Sequence, residues 1–580
     1  MSLRPYHVSA LLVAGAAILV YFLLLAQGGL GAYFSGDDMM NIAFLHGYGR
    51  VSFPVLAAEA VSPFTPEYRP VGGVYYRTLY ALFGLHPLPF RIAFFALLIG
   101  NLGLAGLWIW RLTGSRTTAL MSTAVFSFHA ALAELYYNDG TVYDVLCLFF
   151  VLILLSVYTR IRRRGEFPNA GGILLLAALY AAALGSKEMA ITLPGVLLLC
   201  ELFFDSRPRD LWRRARPIVA LTCMTLLAMI FKVLVPQMTV NSPYWPRHDP
   251  VFIAHGYLHY YRQLFFAPDL TGLQLMAVLV VAAAGALALR SRIMLFGLLF
   301  ANLTLFPVCV IPPRGGFVWY MPLLGCALYM GGAISRLAQW TIAAIAARAR
   351  SERVRRLAPL SIQALLFGCL IVASYLVQAP HAANMGASFE PQQRNLRVLW
   401  SVVKAAAPSL PSGGRILLES DPFPELIWDP LFLIRLGYGD PTVWVDRVSR
   451  LGDDYHAGDV SLYAMKLRYN GRGYDVETRP APAGPPVPVS MEAETVRRGH
   501  ALGLNLPPAF AGCPIDVAYR MLEDELMRAG VWYSWASLDA SGAGFARVDR
   551  DAERGPVVID RVRACRGDWR PARGSFVVVP

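Results

Sequence analysis

Two adjacent aspartates, Asp37 and Asp38, lie in the stretch FSGDDMMNIAFLHGYG (34–49), directly after a long apolar run at 7–29. A carboxylate can take a proton from a reacting hydroxyl as a general base, and carboxylate oxygens also hold divalent cations. The residues that follow can form a short helix, so one of the two acids could instead be its N-cap. The pair is the first candidate for chemistry in this chain, with capping as the structural alternative.

Three arginines, Arg69, Arg77 and Arg91, follow the acids in the segment 65–101. Cations beside carboxylates suit a site that handles an anion and a proton together. Surface ion pairing, which contributes little to stability, is the alternative explanation.

Five further charged residues occur near apolar segments and are candidates for substrate binding: Glu134, Asp144, Lys187, Glu188 and Arg314. Four of them have a structural alternative. Asp144 could cap the helix that follows it. Lys187 and Glu188 could form an ion pair that ends two helices. Arg314 could bind a phosphate group bidentately or anchor the chain at lipid headgroups.

The elements that must position these residues are transmembrane helices. The chain has 580 residues, of which 56% are hydrophobic and 16% charged, whereas a soluble protein has about 25% charged residues. By length and apolarity we predict about eleven spans. They lie near 8–29, 90–110, 117–133, 142–159, 170–185, 189–204, 217–235, 270–289, 293–311, 317–335 and 359–378. Lys187 and Glu188 interrupt 170–204, which predicts two short helices with this pair at the turn.

The net charge of +13 reports membrane topology. Residues 1–379 contain 29 Lys and Arg against 15 Asp and Glu, while residues 380–580 contain 23 against 24. Twenty of the 29 cations fall at Arg4 and in alternate loops, including RIRRR at 160–164, which marks those loops as cytoplasmic. The first external loop is then 30–89, and it contains both aspartates. This distribution argues against a nucleic-acid partner.

Residues 380–580 are predicted to form an external, soluble α/β domain after the membrane domain 1–379. Strand-like runs occur at 415–420, 441–448, 474–479, 556–562 and 575–579, and a helix is predicted from 514 to 529. Cys513 and Cys565 are the two cysteines outside the predicted spans, and an oxidising compartment would allow them to pair. We expect this domain to pack over the mouth of the membrane domain and to bind the acceptor or gate the cleft.

Four motifs in order carry a resemblance to a known family. They are FSGDD, YRPVGGVYYRTLYALFGLHPLPF, AVFSFHAALAELYYNDGTVYDVLCLFF and GSKEMAITLP. In order and spacing they resemble the membrane region of the transmembrane O-mannosyltransferases that carry tetratricopeptide repeats, in the GT-C superfamily of glycosyltransferases. The similarity is best over 30–200, and PPRGGFVWYMPLLGCAL at 312–328 resembles the late Arg–Tyr–Pro segment of the superfamily.

The resemblance implies an inverting glycosyltransferase that moves a sugar from a polyprenyl-phosphate donor to an acceptor hydroxyl on the outer face of the membrane. Asp37 is implied as the general base, and Asp38 could share that role, orient Asp37 or help to hold a divalent cation. Arg69, Glu134, Asp144, Lys187, Glu188 and Arg314 are implied in substrate binding. A divalent cation is a candidate cofactor with no assigned ligands. The chain departs from the family at His129-Ala130 and at GTVYD, and it has no repeats, so protein O-mannosylation is not implied.

Two other classes of protein remain open. A lipid-linked-sugar flippase or ion-coupled transporter would also carry acids near its spans, though transporters place them mid-membrane in paired repeats. A noncatalytic membrane scaffold presenting the C-terminal domain is the third class. The sequence leaves open whether the acceptor is a glycan, a lipid or a protein. The compact length and basic loops favour a multi-pass protein of a bacterial inner membrane, with residues 380–580 in the periplasm.

Overall fold

The structure is a computed structural model of the whole chain. It describes residues 5–43, 54, 57–58, 69–203, 211–234, 246–348, 351–411, 414–424, 427–440, 443–450, 463–478, 487–488, 490–496, 499–508, 512, 515–523, 526–535, 543–548, 555–564, 567, 570–573 and 576–579. The chain forms two compact units, Met1–Gln393 (unit 1) and Arg394–Pro580 (unit 2).

Unit 1 is built of helices. In chain order they are α1 Pro5–Ala26, α2 Gly36–Met40, α3 Pro70–Phe83, α4 Pro87–Thr113, α5 Arg116–Ser127, α6 Ala133–Tyr137, α7 Val142–Arg163, α8 Ala170–Leu184, α9 Leu193–Phe203, α10 Leu211–Leu234, α11 Pro250–Leu264, α12 Gly272–Ala288, α13 Arg292–Cys309, α14 Tyr320–Arg348 and α15 Glu352–Ala406. Short 3₁₀ turns at Gln27–Gly31, Ala130–Leu132, Asp139–Thr141, Glu188–Thr192 and Gly316–Trp319 join some of them.

Polar side chains fix where several of these apolar helices begin. Ser115, Asn169 and Ser291 are the N-caps of α5, α8 and α13, and each side chain accepts a hydrogen bond from a backbone N–H of the first turn. Thr271 and Gln274 form a capping box at the start of α12. These bonds satisfy N–H groups that have no partner within the helix. The loops predicted from charge therefore coincide with real helix boundaries.

Helices occupy all eleven predicted spans, but the number of spans is not confirmed. By length and composition, the described residues contain six helices that could cross a membrane, or seven if one bent pair counts as a span. Helices α8, α9 and α12 are shorter, at 15, 11 and 17 residues. The chain is a membrane protein with a mostly helical first unit.

The predicted span at 117–133 is a bent pair of helices in the structure. The chain breaks after Ser127, and α5 and α6 are bent by 49° relative to each other. His129 has an extended backbone, and its side chain accepts a hydrogen bond from the Ala131 N–H, which replaces a bond the continuous helix would have made. The two short helices predicted at 170–204 are confirmed, with a 3₁₀ turn between them.

Glycines allow the helices of unit 1 to pack closely. A Cβ on Gly325 of α14 would lie 2.5 Å from the Gly297 carbonyl oxygen of α13, and a Cβ on Gly331 would lie 2.1 Å from the Ser122 Oγ of α5. In a membrane the hydrophobic effect does not drive helices together, and small residues instead let helix backbones approach closely enough to pack. Helix α14 therefore packs closely against both α13 and α5.

Unit 2 contains one helix and thirteen strands among its described residues, besides the end of α15. They are α16 Asp429–Tyr438 and β1 Arg415–Ser420, β2 Trp444–Arg447, β3 Met465–Tyr469, β4 Tyr474–Thr478, β5 Val487–Pro488, β6 Ser490–Val496, β7 Gly499–Asn505, β8 Ile515–Glu523, β9 Leu526–Trp535, β10 Ala543–Val548, β11 Gly555–Ala564, β12 Arg570–Arg573 and β13 Phe576–Val579. The five predicted strands are confirmed within a few residues.

The sheets of unit 2 fit an α/β fold only in their first part. Strand β1 pairs in parallel with β2 and β3, α16 connects β1 to β2, and β4 closes the sheet antiparallel to β3. Beyond this sheet the described residues form strands, in the orders β10-β7-β6 and β5-β12-β11-β8-β9, with β13 on β11.

The helix predicted at 514–529 is wrong. The described residues of this segment form β8 and the start of β9, an antiparallel pair with Glu523 opposite Leu526. Ile515, Val517, Tyr519 and Met521 are apolar at every second position, a strand period that competes with the helical one. Pairing of β8 with both β9 and β11 decides the outcome. Cys513 and Cys565 lie outside the described residues, so their pairing stays a prediction.

Candidate active site

Asp38 is the buried member of the aspartate pair. Its Oδ2 accepts hydrogen bonds from the Ser35 backbone N–H at 2.7 Å and the Ser35 hydroxyl at 2.9 Å, and its Oδ1 accepts from the Tyr76 hydroxyl at 3.1 Å. The residue is 0% exposed. Burial raises the pKa of the Asp38 carboxyl, and the nearby Arg91 guanidinium and the bonds from Ser35 partly offset the rise. Both oxygens are thus engaged in holding α2 in place.

Asp37 is exposed on the same short helix. Its Oδ2 accepts a hydrogen bond from the Asn138 Nδ2 at 3.2 Å, while adjacent Gly140 lies so close that a Cβ there would be 2.5 Å from the Asp37 Cβ. Consecutive residues of a helix point about 100° apart, which explains why one aspartate is buried and its neighbour is not. Asp37 therefore combines a fixed position with an accessible carboxylate.

The expectation that Asp37 or Asp38 is the N-cap of the short helix is wrong. Ser35 is the N-cap of α2, and Asp38, at the third helical position, completes a capping box with it. Asp38 therefore does have a capping role, though not as N-cap. Asp37 makes no part of that box, so capping leaves its conformation and exposure unexplained.

Arg91 connects the aspartate loop to the loop before α7. Its guanidinium donates to the Asp139 Oδ1 at 2.8 Å, to the Tyr33 carbonyl at 2.7 Å and to the Tyr137 carbonyl at 3.0 Å. The side chain is 1% exposed, and its nearest nitrogen lies 4.0 Å from the Asp38 Oδ2. A buried guanidinium must satisfy its donors inside the protein, so this residue holds the two loops at a fixed separation.

The sequence predicts no site role for Tyr76, Asn138 or Asp139, and for Arg91 it predicts only a cation near the acids. The signal for Asn138 and Asp139 is YYNDG, a polar run in a short loop between apolar segments. Arg91 stands out as a cation in the first turns of an apolar helix. Tyr76 gives no such signal, because a tyrosine in an amphipathic helix is an ordinary core residue.

Four of the predicted binding residues form two ion pairs. The Lys187 Nζ lies 2.5 Å from the Asp144 Oδ2, and the Arg69 guanidinium lies 2.8 Å from the Glu188 Oε2. The expected pairing of Lys187 with its neighbour Glu188 is therefore wrong. The extended backbone at Lys187 sends adjacent side chains in opposite directions, so each reaches a different partner. Asp144 lies in the first turn of α7, whose N-cap is Thr141; its role as a cap is also wrong.

Burial affects the two pairs differently. Lys187 and Asp144 are buried, while Arg69 and Glu188 are partly exposed. Burial lowers the pKa of the Lys187 ammonium, and the Asp144 carboxylate opposes that change. Arg69 has a left-handed backbone (φ 54°), an uncommon conformation for a residue with a Cβ, directly before α3. Its guanidinium also lies 5.1 Å from the centre of the Tyr143 ring.

Glu134 and the segment after α13 bring the remaining predicted residues together. Glu134 interacts electrostatically with Asp37 and with the Asp144–Lys187 pair. Gly315 lies against it, because a Cβ on Gly315 would overlap the Glu134 Oε2.

Arg314, next to Gly315, donates its backbone N–H to the Tyr260 hydroxyl at 3.0 Å. The Lys187 Nζ lies 4.7 Å from the centre of the Phe317 ring in the same segment. The structure thus connects most of the sequence-predicted residues through a series of contacts in unit 1. Arg77 lies in α3 and is half-buried.

The chemistry available here is that of an accessible carboxylate beside several cations. Asp37 can accept a proton, and Arg69, Lys187 and Arg314 can stabilise an anion. Within the residues that the structure describes, no three His, Cys, Asp or Glu side chains converge as a metal site. A divalent cation stays a hypothesis without an assigned ligand set.

Comparison with known proteins gives matches in three-dimensional structure. The chain is similar to the crystal structure of ArnT from Cupriavidus metallidurans in the apo state, with a TM-score of 0.46 and 14% identity, over 76% of this chain and 87% of that chain. It is also similar to ArnT from that organism bound to undecaprenyl phosphate, with a TM-score of 0.42 and 15% identity, over 79% and 92%. No protein-family model matches, and no curated protein matches. Since the TM-scores and identities are low, these matches assign neither function nor residues to this chain.

Proposed function

We propose that this protein is a GT-C-type inverting glycosyltransferase that transfers a sugar from a polyprenyl-phosphate donor to an acceptor hydroxyl on the outer face of the membrane. The observation that carries the proposal is the pair of unlike aspartates at the start of the motif series. Asp38 is buried and fully hydrogen-bonded, whereas Asp37 beside it is exposed. One carboxylate is then available for chemistry and the other for support.

The proposed reaction is a single displacement. The acceptor oxygen attacks the anomeric carbon as its proton passes to the Asp37 carboxylate. The bond between that carbon and the phosphate oxygen breaks, and the leaving polyprenyl phosphate keeps the electron pair. Because attack occurs opposite the leaving group, the configuration at the anomeric carbon inverts.

The leaving phosphate needs positive charge more than a proton. Arg69, Lys187 and Arg314 are the cations of the candidate site. Lys187 and Arg69 already pair with Asp144 and Glu188, so a phosphate would share these cations with their carboxylates. Arg314 is half-buried in the segment beside Glu134, and Arg is suited to bidentate phosphate binding.

Support for Asp37 comes from the residues behind it. Ser35 and Tyr76 hold the Asp38 carboxylate, and Asn138 holds Asp37 itself. Fixing a base before the substrate arrives removes part of the entropic cost of the reaction. Asp38 is therefore proposed as a positioning residue. The acceptor, the sugar and the inner-membrane location with a periplasmic unit 2 are parts of the same proposal.

A transporter or flippase of lipid-linked sugars is the second candidate. The observation in its favour is the broken pair α5 and α6, with Glu134 just after the break, because transporters often bind substrate at interrupted helices. Such a protein would bind the donor without cleaving it.

The test is a transfer assay with purified protein, a polyprenyl-phosphate sugar and envelope acceptors, in which slow hydrolysis of the donor is also measured. Asp37→Asn should lower the rate about 10²–10⁴-fold while donor binding persists. The matched control is Asp249→Asn, an exposed acid that caps α11, because Asn caps about as well as Asp.

Each outcome discriminates between the candidates. Wild-type turnover by Asp37→Asn would refute the proposed base. Donor binding without transfer or hydrolysis by the wild-type protein would favour the transporter. Asp38→Asn should lower both the rate and the melting temperature, since an amide nitrogen cannot accept the bonds that the Asp38 carboxylate accepts.

A further inference from the structure

A second candidate site in unit 1 shares no lining residue with the candidate active site, although one of its helices, α4, also carries Arg91. An apolar groove of about 550 Å³ runs between α1, α4 and α5. Its walls are aliphatic side chains and glycines, with Arg116 and Trp110 at one end and Thr123 farther along. Gly15 and Gly103 in its walls are exposed, so the groove opens on the outside of the helix bundle.

Glycines create the groove. A Cβ on Gly15 or on Gly103 would meet no atom within 4 Å, so neither glycine is required by a close backbone contact. A larger side chain at either position would project into free space. The groove is therefore an open volume between helices, which a flexible apolar chain can fill.

The end of the groove is basic. Arg116 is the first residue of α5, and its guanidinium lies 5.9 Å from the centre of the exposed Trp110 ring. None of the three helices carries an Asp or Glu. Arg111 and Arg163 lie close by, since Arg163 donates to the Arg111 carbonyl at 2.7 Å. The positive-inside rule assigns this end to the cytoplasmic surface, where Trp side chains also concentrate.

The length of the groove indicates which kind of lipid chain can fill it. Along α4 it extends from Trp110 to Ile99, which is about 16 Å at the rise of 1.5 Å per residue. Half of a hydrocarbon core of about 30 Å has the same depth. The groove therefore matches an acyl chain that stays within one leaflet, and a polyprenyl chain would extend well beyond it.

We propose that this groove binds one anionic phospholipid of the cytoplasmic leaflet, with an acyl chain between α1 and α4 and its phosphate at Arg116. The phosphate would accept hydrogen bonds from the guanidinium, and the N-terminal end of α5 adds a favourable dipole. Basic pockets between transmembrane helices bind anionic headgroups in this way. The site is separate from the proposed catalysis, so either can fail without the other.

Native mass spectrometry of the full chain tests the proposal, with dioleoylphosphatidylglycerol and dioleoylphosphatidylcholine as the added lipids. The wild-type protein should retain one phosphatidylglycerol in preference to phosphatidylcholine. Arg116→Gln should weaken this binding about five-fold, the effect of one cation near the surface. Gly103→Leu should abolish it by filling the groove.

Gly100→Leu is the matched control. Gly100 lies one turn away on α4, outside the groove, and a Cβ there also meets nothing within 4 Å. This variant should bind lipid as the wild type does. Equal loss in Gly100→Leu and Gly103→Leu, no effect of Arg116→Gln, or equal retention of the two lipids would overturn the proposal. Retention of a co-purified polyprenyl phosphate at this site instead of phosphatidylglycerol would also overturn it.

Discussion

At the scale of single residues, the candidate site depends on the difference between two neighbours with the same side chain. Asp38 interacts with Ser35 and Tyr76, and Arg91 lies close by, so its charge is compensated inside the protein. The Asp37 carboxylate has a single described hydrogen bond, from Asn138. A group that must exchange protons with a substrate needs this accessibility, and a group that positions it needs the opposite.

Gly140 gives a test of the position of Asp37. A Cβ at this residue would lie 2.5 Å from the Asp37 Cβ, so Gly140→Ala must displace Asp37 or the turn that carries Gly140. We expect transfer to slow about 10²-fold, the effect of a misplacement near 1 Å, with a loss of about 1–3 kcal/mol of stability from overpacking.

The control for this substitution is Gly171→Ala in the first turn of α8, where the nearest atom to an added Cβ is 3.7 Å away. Rates from the transfer assay and melting temperatures should be compared for both variants. If Gly140→Ala transferred sugar at the wild-type rate, the fixed position of Asp37 would have no part in the reaction.

At the scale of elements, α15 secures the loops of the site through one polar face. Gln393 accepts from the Tyr33 N–H at 3.2 Å and donates to the Tyr137 carbonyl at 2.8 Å. Gln378 accepts from the Ala130 N–H at 2.7 Å, and Phe389 stacks on the Tyr137 ring. Arg91 binds the same two backbone segments from α4. Two helices therefore fix the aspartate loop relative to the loop that carries Asn138.

Gln393→Leu should release one side of this arrangement. It removes the bonds of Gln393 to the Tyr33 N–H and the Tyr137 carbonyl, at a cost of about 1–3 kcal/mol, and it should lower transfer by loosening the loop of Asn138. Gln393→Glu should restore part of both properties, because its carboxylate can still accept from the Tyr33 N–H.

The control is Ser388→Ala on the same helix, since the Ser388 hydroxyl bonds only to its own helix, at the Met385 carbonyl. Denaturation curves and transfer rates measured together separate positioning from stability. A Gln393→Leu protein with normal stability and normal transfer would show that α15 does not support the site.

At the scale of the whole molecule, the distribution of charge predicts the orientation of the chain in the membrane. The excess of cations lies in residues 1–379, in alternate loops. The same rule predicts that the first aspartate loop and residues 380–580 both lie outside the cytoplasm. The proposed donor, presented at the outer surface, would require this orientation.

Two single-cysteine variants test the orientation, each made in a protein whose eight native cysteines have been replaced. The two variants are Arg164→Cys and Arg472→Cys. Arg164 is exposed directly after α7, and Arg472 is exposed between β3 and β4. A membrane-impermeant maleimide should label position 472 in intact spheroplasts and position 164 only after permeabilisation. Labelling of both positions from the same side would contradict the proposed topology.

The sequence by itself determined the features that depend on local composition. Apolar runs long enough to span a bilayer become helices wherever they occur, because backbone groups in lipid must bond within the segment. The basic loops and the turn at Lys187 can also be recognised in the sequence, because charged residues interrupt the apolar runs there. The candidate residues could be chosen without a structure, since charges beside apolar segments are costly and therefore conspicuous.

The tertiary structure decided which partners those charges have. Lys187 binds Asp144, 43 residues away, in preference to adjacent Glu188, and α3 and α4 bring Tyr76 and Arg91 to Asp38. The strands at 515–535 form because β8 has partners on both sides, although the sequence also carries a helical period. Burial and pairing depend on segments distant in the chain, so local sequence could identify Asp37 and Asp38 but could not decide which of them faces the solvent.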